Sequence, residues 1–347
     1  MYFYLLAMSV PLFFIFTENN SNKKIYNYFF ILIFIFLFLI VSFRAVGSDY
    51  QIYLRYYYSF YKLDEFKLSL SGDLAFDYLN YIFTRFNFPF YYLTTVVSAT
   101  FFISLYFFLR ITANPWLGLF ISMPFYIFNF SMSAMRQSMA FSFFLMAIVI
   151  IQKNKIFKSY LYMIVGILFH KSLVFFLILQ SVYKKISIKH ILFFFFILIG
   201  VFIYRHQEIS RMFFNYVIKS EGLNSSGVYL RIIPIIFSIF FFFLMKNYYK
   251  QKFIEEKNII EALIFFTIFF LFLIPINSTA ADRLLIFSGI IQMIVITRFS
   301  VLFEKNKRIY SLIIIFNIIF YYSFYIIWAL NGNVFNSFKN YSFLFVI

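Results

Sequence analysis

Long apolar runs constrain this chain more than any other feature. They are about 15 to 23 residues long, and some 20 helical residues at 1.5 Å per residue cross the roughly 30 Å of hydrocarbon in a bilayer. Apolar types make up 63% of the 347 residues and charged types 12%, whereas soluble domains have about 45–50% and about 25%. We therefore predict an all-α polytopic membrane protein, with residues 1–347 as a single integral membrane domain.

Eleven apolar runs are candidate transmembrane spans. The first has neither a basic n-region nor a small-residue cleavage site, which is typical of an uncleaved span rather than a signal peptide. The spans lie near residues 2–17, 27–42, 88–109, 115–130, 136–151, 160–182, 190–204, 231–246, 260–276, 284–299 and 309–330.

The net charge of +17 lies between the apolar runs rather than in one stripe. That distribution indicates topology signals and contact with anionic lipid, and it argues against nucleic acid as a partner. Lys23 and Lys24 mark the first loop as cytoplasmic. The segment 43–87 is then an outer-face loop, and the segments 205–230 and 277–283 are outer-face loops if the chain turns back within 160–182.

The run 160–182 breaks this pattern. If it crosses once, the lysines that follow it, beginning with Lys184, fall outside. If the chain turns back near His170–Ser172, they return inside. Charged residues within an apolar run are costly against lipid but tolerable where they line a wet cavity. We therefore predict a broken or re-entrant helix near 160–182.

On that topology, 14 of the 19 lysines are cytoplasmic, whereas 8 of the 11 arginines are on the outer face. Lysine is sufficient as a topology signal, but a guanidinium group binds phosphate or carboxylate oxygens in a bidentate fork. The outer face is thus predicted to bind an anion. The outer arginines are Arg44, Arg55, Arg85, Arg136, Arg205, Arg211, Arg231 and Arg283.

The chain has no cysteine and only three histidines. Disulfides, thiolate metal sites and cysteine nucleophiles are thereby excluded, and a histidine metal cluster is not expected. We expect neither a metal nor another cofactor.

The segment 42–61, SFRAVGSDYQIYLRYYYSFY, follows the second span. Gly47 suits a tight turn, and Ser48 with Gln51 resembles a capping box that starts a helix. One face of that helix is aromatic. It could lie along the membrane interface, and its N-terminus beside Arg44 could bind an anion; both interpretations can hold. The face contains Tyr50, Tyr53, Leu54, Tyr57, Phe60 and Tyr61.

Two further constellations lie within apolar runs. Arg136 and Gln137 begin a span among small residues, which allows close helix packing, although an intramembrane arginine favours function. His170, Lys171 and Ser172 interrupt the sixth run. The histidine could accept a proton or bind sugar hydroxyls.

The fourth constellation is NSTAADRLLIFSG, residues 277–289, with Asn277, Asp282 and Arg283. Asp282 could pair with Arg283 or with another arginine. A separate outer loop, 205–231, ends at Arg231 and is long enough to act as a lid.

Four segments of the chain, in their order, resemble the EpsG-like branch of Wzy polysaccharide polymerases. They are FRAVGSDYQIY, MRQSMAFS, FHKS and the N-x₅-R-x₃-F spacing from Asn277 to Phe287. The resemblance implies a GT-C-like, metal-independent glycosyltransferase in the bacterial cytoplasmic membrane. It would join undecaprenyl-diphosphate-linked oligosaccharide repeat units on the outer face, for O-antigen, capsule or exopolysaccharide synthesis.

The resemblance and the arginine distribution together give the expected site residues. Either His170 or Asp49 is expected to be the base. A looser match at 72–83 adds Asp73 and Asp77. The expected catalytic residues are Arg44, Asp49, Arg136, His170 and Arg283. The expected substrate-binding residues are Gly47, Tyr50, Gln137, Lys171, Ser172, Arg231, Asn277 and Asp282.

Two other functions fit a membrane protein of this kind. One is an O-antigen ligase, and the other is a flippase or transporter of lipid-linked glycan. Transporters usually contain paired repeats and interrupted helices in both halves, and this chain has one predicted break and no repeat. The sequence leaves open the sugar, the linkage, and whether a chain-length regulator or a flippase binds.

Overall fold

The computed structural model describes residues 2–17, 23–63, 65–66, 73–182, 225, 227–331 and 333–338. These residues form helices and no β-strand. The predicted span 190–204 lies outside them. The α-helices are α1 Tyr2–Thr17, α2 Lys23–Ser42, α3 Tyr50–Ser59, α4 Leu74–Arg85, α5 Phe90–Leu109, α6 Pro115–Ser122, α7 Ser131–Ser133, α8 Met135–Gln152, α9 Ile156–Phe169, α10 Leu179–Val182, α11 Gly227–Leu244, α12 Lys246–Lys252, α13 Ile254–Leu271, α14 Ser278–Ser288, α15 Ile290–Leu302 and α16 Lys307–Asn331.

Six helical segments of the described chain are long and apolar enough to cross a membrane. The helices α1 and α9 are apolar but shorter. A chain with this many membrane-spanning helices is a membrane protein. The six segments are Lys24–Ser42, Phe90–Leu109, Met135–Gln152, Gly227–Leu244, Ser278–Leu302 and Lys307–Asn331.

Aromatic rings hold neighbouring helices together. Phe14 of α1 stacks on Trp116 of α6 with ring centres 4.3 Å apart, and Phe34 of α2 meets Phe102 of α5 edge-on at 6.1 Å. Such pairs add to the energy of apolar contact because ring edges and faces carry opposite partial charges. The high phenylalanine content is therefore used in helix packing.

The chain reverses direction at His170, which has an extended backbone (φ −160°, ψ 121°) between α9 and a 3₁₀ helix, Lys171–Ile178. The segments before and after His170 lie side by side. Nε2 of Gln180 in the second segment donates a hydrogen bond to Oγ of Ser159 in the first at 3.0 Å. The Ser159 hydroxyl in turn donates to the Ala147 carbonyl of α8. The break predicted within 160–182 thus lies at His170.

A second irregularity precedes α8. The helix α6 continues into a π-helical segment, Met123–Phe130, and then into α7, which ends at Ala134 (φ −90°, ψ 68°). Pro124 lies in the first turn of the π-helix and lacks the N–H that a regular α-helix would use. The break at Ala134 lets α8 begin in a new direction.

These breaks fall at one end of the bundle, which we call the site end. It comprises the loop 43–49, the break at Ala134, the reversal at His170 and the start of α14. The connections between α5 and α6 and between α8 and α9 lie at the opposite end. The charge pattern predicts that the site end faces outward.

Because the chain has no cysteine, single cysteines can test this orientation directly. Lys171→Cys and Gln51→Cys, both at exposed positions of the site end, are expected to react with an impermeant maleimide in right-side-out vesicles. Lys153→Cys, exposed at the opposite end, should react only after permeabilisation. A Lys171→Cys protein that stays unlabelled in both conditions would contradict the reversal at His170.

Candidate active site

Arg136 lies in the first turn of α8, directly after the break at Ala134. Its Nη1 donates to Oδ2 of Asp73 at 3.0 Å. Its guanidinium carbon is 5.8 Å from the ring centre of Tyr53 and 5.9 Å from that of Tyr56. An acidic group and two aromatic faces therefore position the charge. The side chain is still 41% exposed, which leaves it open to a ligand.

The reversal places His170 beside the arginines. Among the described residues, the charges of Arg283, Arg136 and Lys171 act on its imidazole. Its Nδ1 lies 2.6 Å from Oγ and 3.3 Å from the backbone nitrogen of Ser172. Ser172 therefore fixes the orientation of the imidazole ring.

Arg283 lies in the second turn of α14, which Asn277 caps. Oδ1 of Asn277 accepts a hydrogen bond from the backbone N–H of Ala280 at 2.7 Å, and this pairs a donor that the helix leaves unused. Arg283 is exposed and makes no hydrogen bond or ion pair with any described residue. Its charge acts on Asp49 and His170. Asn277 thus orients the helix that carries Arg283.

Two carboxylates, Asp49 and Asp73, balance these cations. Burial raises the pKa of the Asp49 carboxyl, and the hydrogen bond from Ser48 and the charges of Arg283 and Arg136 partly offset that rise. Burial also raises the pKa of Asp73, against the charge of Arg136. Asp73 is tied to Arg136 by an ion pair. Asp49 has no ion-pair partner among the described residues.

Four helical N-termini meet at this cluster. Asp49 immediately precedes α3, Arg136 is in the first turn of α8, Lys171 begins the 3₁₀ helix, and Arg283 lies near the start of α14. N-terminal turns carry unpaired N–H groups and partial positive charge. Arg136 and Lys171, in the first turns of their helices, are repelled by that partial positive charge. A bound anion would relieve the repulsion. The cluster is therefore suited to a multiply charged anion such as a phosphate group.

A buried aromatic layer lies beneath the cations. Phe287, one helical turn after Arg283, has its ring centre 6.0 Å from that of Phe141, 5.4 Å from that of Phe144 and 5.0 Å from that of Phe176. All four rings are buried. Their low polarity strengthens the interaction of the charges above them with a bound anion.

Arg44, predicted to be catalytic, is only 1% exposed. Its Nε donates to the carbonyl of Met132 at 3.0 Å, its Nη2 to that of Ser131 at 3.3 Å, and its Nη1 to that of Val41. Carbonyls at a helix end lack partners within the helix, and the guanidinium supplies them. This placement argues for a positioning role of Arg44 rather than contact with a substrate.

Asp282 pairs with Arg231 and not with Arg283. The two side chains form a bidentate ion pair, with Nε to Oδ1 at 2.7 Å and Nη2 to Oδ2 at 2.5 Å. The hydroxyl of Ser225 also donates to Oδ2 of Asp282. The predicted substrate ligands Arg231 and Asp282 therefore neutralise each other in this structure.

Tyr50 and Gln137, also predicted to bind substrate, are buried. They are 6% and 7% exposed. The Tyr50 ring packs edge-on against Phe90 at 5.5 Å, and Nε2 of Gln137 has no hydrogen-bond partner among the described residues. Both lie behind the open surface of the cluster.

The structure corrects one expectation for α3. The helix begins at Tyr50 with Asp49 in the N-cap position and no side-chain capping bond, so the predicted capping box does not form. Part of its aromatic face packs on protein, since Tyr53 meets the ring of Phe76 in α4, whereas Tyr61 is exposed. Tyr56 is not among the predicted site residues, although its three-residue offset from Tyr53 gives both rings access to the same cation.

The EpsG family matches residues 27–343. The chain belongs to the EpsG family. Searches of curated proteins and of solved structures found no match. Membership associates the chain with polymerase-type function in exopolysaccharide or O-antigen synthesis. The EpsG match covers every residue of the cluster described above.

Gly47 connects Arg44 to Asp49, and its conformation gives a test of this loop. Its φ is +137°, and an added Cβ would lie 2.3 Å from the carbonyl oxygen of Met132. We expect Gly47→Ala to destabilise the protein by about 2 kcal/mol or more, because strain and a backbone clash add. Thermal unfolding of the detergent-solubilised protein measures this, with Ser48→Ala as the control. An unchanged unfolding temperature would contradict the close approach.

Proposed function

We propose that this EpsG-family protein is a glycosyltransferase that polymerises undecaprenyl-diphosphate-linked oligosaccharide repeat units on the outer face of the bacterial cytoplasmic membrane. The observation that carries the proposal is the cluster at the site end, where the guanidinium groups of Arg136 and Arg283 act on both His170 and Asp49. The charge of Lys171 acts on His170 and on Asp73. Several cations at converging helix N-termini match the charge of a diphosphate. Family membership supports a polymerase as the reaction type.

In the proposed reaction, a hydroxyl of the incoming repeat unit attacks the anomeric carbon of the growing glycan. The new glycosidic bond forms as the bond to the lipid diphosphate breaks, and its electron pair leaves with the diphosphate. Negative charge on the leaving group increases in the transition state. Arg136 and Arg283 stabilise that charge more strongly in the transition state than in the ground state.

The proposed reaction requires partner proteins. A flippase has to deliver lipid-linked units to the outer face, because the oligosaccharide itself does not cross the bilayer. A chain-length regulator is a further partner for a polymerase of this type. The lysines at the opposite end support this orientation.

Arginine-to-lysine variants test the role of the guanidinium groups. Arg136→Lys and Arg283→Lys keep the charge but lose the bidentate fork. We expect each to lower polymerisation ~10²–10³-fold, as for removal of one donor to a developing anion, with lipid-linked single repeat units accumulating in cells.

Arg55→Lys is the matched control, because Arg55 is an exposed arginine of α3 outside the cluster. It should give normal chain lengths. The proposal is wrong if Arg136→Lys and Arg283→Lys, present in the membrane at normal amounts, also give wild-type chain lengths.

An assay with purified protein separates the proposed function from its alternatives. Incubated in detergent with a lipid-diphosphate-linked repeat unit, the protein is expected to produce dimers and longer glycans together with free lipid diphosphate. A flippase forms no glycosidic bond, so absence of elongation would favour transport. For a ligase, cells that lack the protein would contain finished polymer that is not attached to lipid A core.

A further inference from the structure

We propose that Asp49 is the group that accepts the proton of the attacking hydroxyl, and that His170 is a hydrogen-bond donor to substrate through Nε2–H. This inference rests on the proposed function and assigns roles within the same site. It separates two residues that are both candidates for the base on sequence grounds.

The hydrogen bond from the backbone of Ser172 assigns a tautomer to His170. The backbone N–H of Ser172 can only donate, and it points at Nδ1 of His170 at 3.3 Å. Nδ1 therefore accepts this hydrogen bond with its lone pair. The Ser172 hydroxyl oxygen lies 2.6 Å from the same nitrogen. In the neutral ring the proton is then on Nε2. The nitrogen that is free to meet a substrate is a donor and has no lone pair to take a proton.

The surroundings of His170 act in the same direction. The charged groups that face it are Arg283, Arg136 and Lys171. A positive charge on the imidazole would be repelled by all three, and burial would add a desolvation cost. A base that becomes a cation is poorly placed among cations.

Asp49 has the opposite electrostatics. When it takes up a proton it loses a negative charge, and when it returns the proton it is stabilised by Arg283 and Arg136, which face it together with the phenol of Tyr53. The only hydrogen bond to its carboxylate from a described residue comes from the adjacent Ser48, to Oδ1 at 3.2 Å. Oδ2 is thus available to a substrate hydroxyl.

Three other acidic side chains near the cluster are already engaged. Asp73 is ion-paired with Arg136, and Asp282 with Arg231. Oδ1 of Asp77 accepts a hydrogen bond from the hydroxyl of Tyr56 at 2.7 Å. Among the described residues of this end, Asp49 is the carboxylate that faces the arginines without an ion pair to either.

The proton and electrons balance in this assignment. The acceptor oxygen bonds to the anomeric carbon and gives its proton to Oδ2 of Asp49. The bond from that carbon to the diphosphate oxygen breaks, and its electron pair stays on the diphosphate between Arg136 and Arg283. Nε2–H of His170 donates to an oxygen of the donor substrate. Asp49 then releases its proton to water.

Three variants distinguish the two roles in the purified polymerisation assay. Asp49→Asn removes the base and should lower the rate ~10²–10⁴-fold, whereas Asp49→Glu keeps a carboxylate and should retain measurable activity. His170→Gln places an amide N–H near the Nε2 position but cannot accept a proton. It should keep at least about a tenth of the wild-type rate, within the modest effect of one neutral hydrogen bond.

The pH profile and donor binding give independent readouts. The wild-type rate should fall at acidic pH with an apparent pKa above the ordinary aspartate range, because burial raises the pKa of Asp49. The residual activity of Asp49→Asn should lack this acid limb, whereas His170→Gln should keep it. Asp49→Asn should still bind the lipid-linked donor, since both arginines remain.

The opposite pattern would overturn the assignment. If Asp49→Asn polymerises at near wild-type rate while His170→Gln is inactive but folded, His170 is the base and the inference fails, although the polymerase proposal stands. If the wild-type protein itself does not elongate lipid-linked repeats, the proposed function fails first. Size-exclusion profiles and unfolding temperatures of the variants exclude loss of fold as the cause.

Discussion

The hydrogen bonds of Arg44 to main-chain carbonyls support most of the site. A buried guanidinium carries a large desolvation cost, and it is retained here because its donors satisfy carbonyls at the end of α7 and α2. The carbonyls of Ser131 and Met132 are available because α7 ends before Ala134. That break allows α8 to begin with Arg136 in its first turn. The same loop, through Gly47, brings Asp49 to the other side of the cluster.

The structure brings several positive charges close together, and this arrangement is unfavourable unless an anion is bound. Arg136 and Lys171 lie in the first turns of their helices, whose dipoles repel cations. The charge of Arg283 acts on the same His170. Asp73, Asp49 and the rings of Tyr53 and Tyr56 reduce this repulsion only in part. The remaining positive potential lies above the buried ring of Phe287 and its neighbours. Such an arrangement is preorganised for an anion, because its binding requires little movement of the surrounding dipoles.

The sequence predicts some of this arrangement well. Apolar run lengths predict the helices, and the lysine pattern predicts the break that the structure has at His170. Family motifs predict that Arg136, His170 and Arg283 belong to one site. The span boundaries shift where polar residues begin a helix, as in α13, which begins at Ile254 rather than near residue 260.

Other features depend on side-chain direction, which residue type does not reveal. An arginine at a helix end can point to substrate or to carbonyls, and Arg44 does the latter. Arg231 and Asp282 are 51 residues apart, so their pairing arises only from helix packing. The π-helical segment before α7 has no clear sequence signal apart from Pro124.

A single open cation cluster is sufficient for the proposed reaction, although both substrates carry a lipid diphosphate. The acceptor attacks through its non-reducing sugar, which is separated from its own diphosphate by the whole repeat unit. Only the donor diphosphate is bonded to the reacting carbon, and negative charge develops only on that diphosphate. The ion pair between Arg231 and Asp282 therefore does not have to break for the proposed reaction to proceed. Specificity for the acceptor would then depend on surfaces that contact sugar, such as the exposed aromatic side chains Tyr58 and Tyr61 near α3.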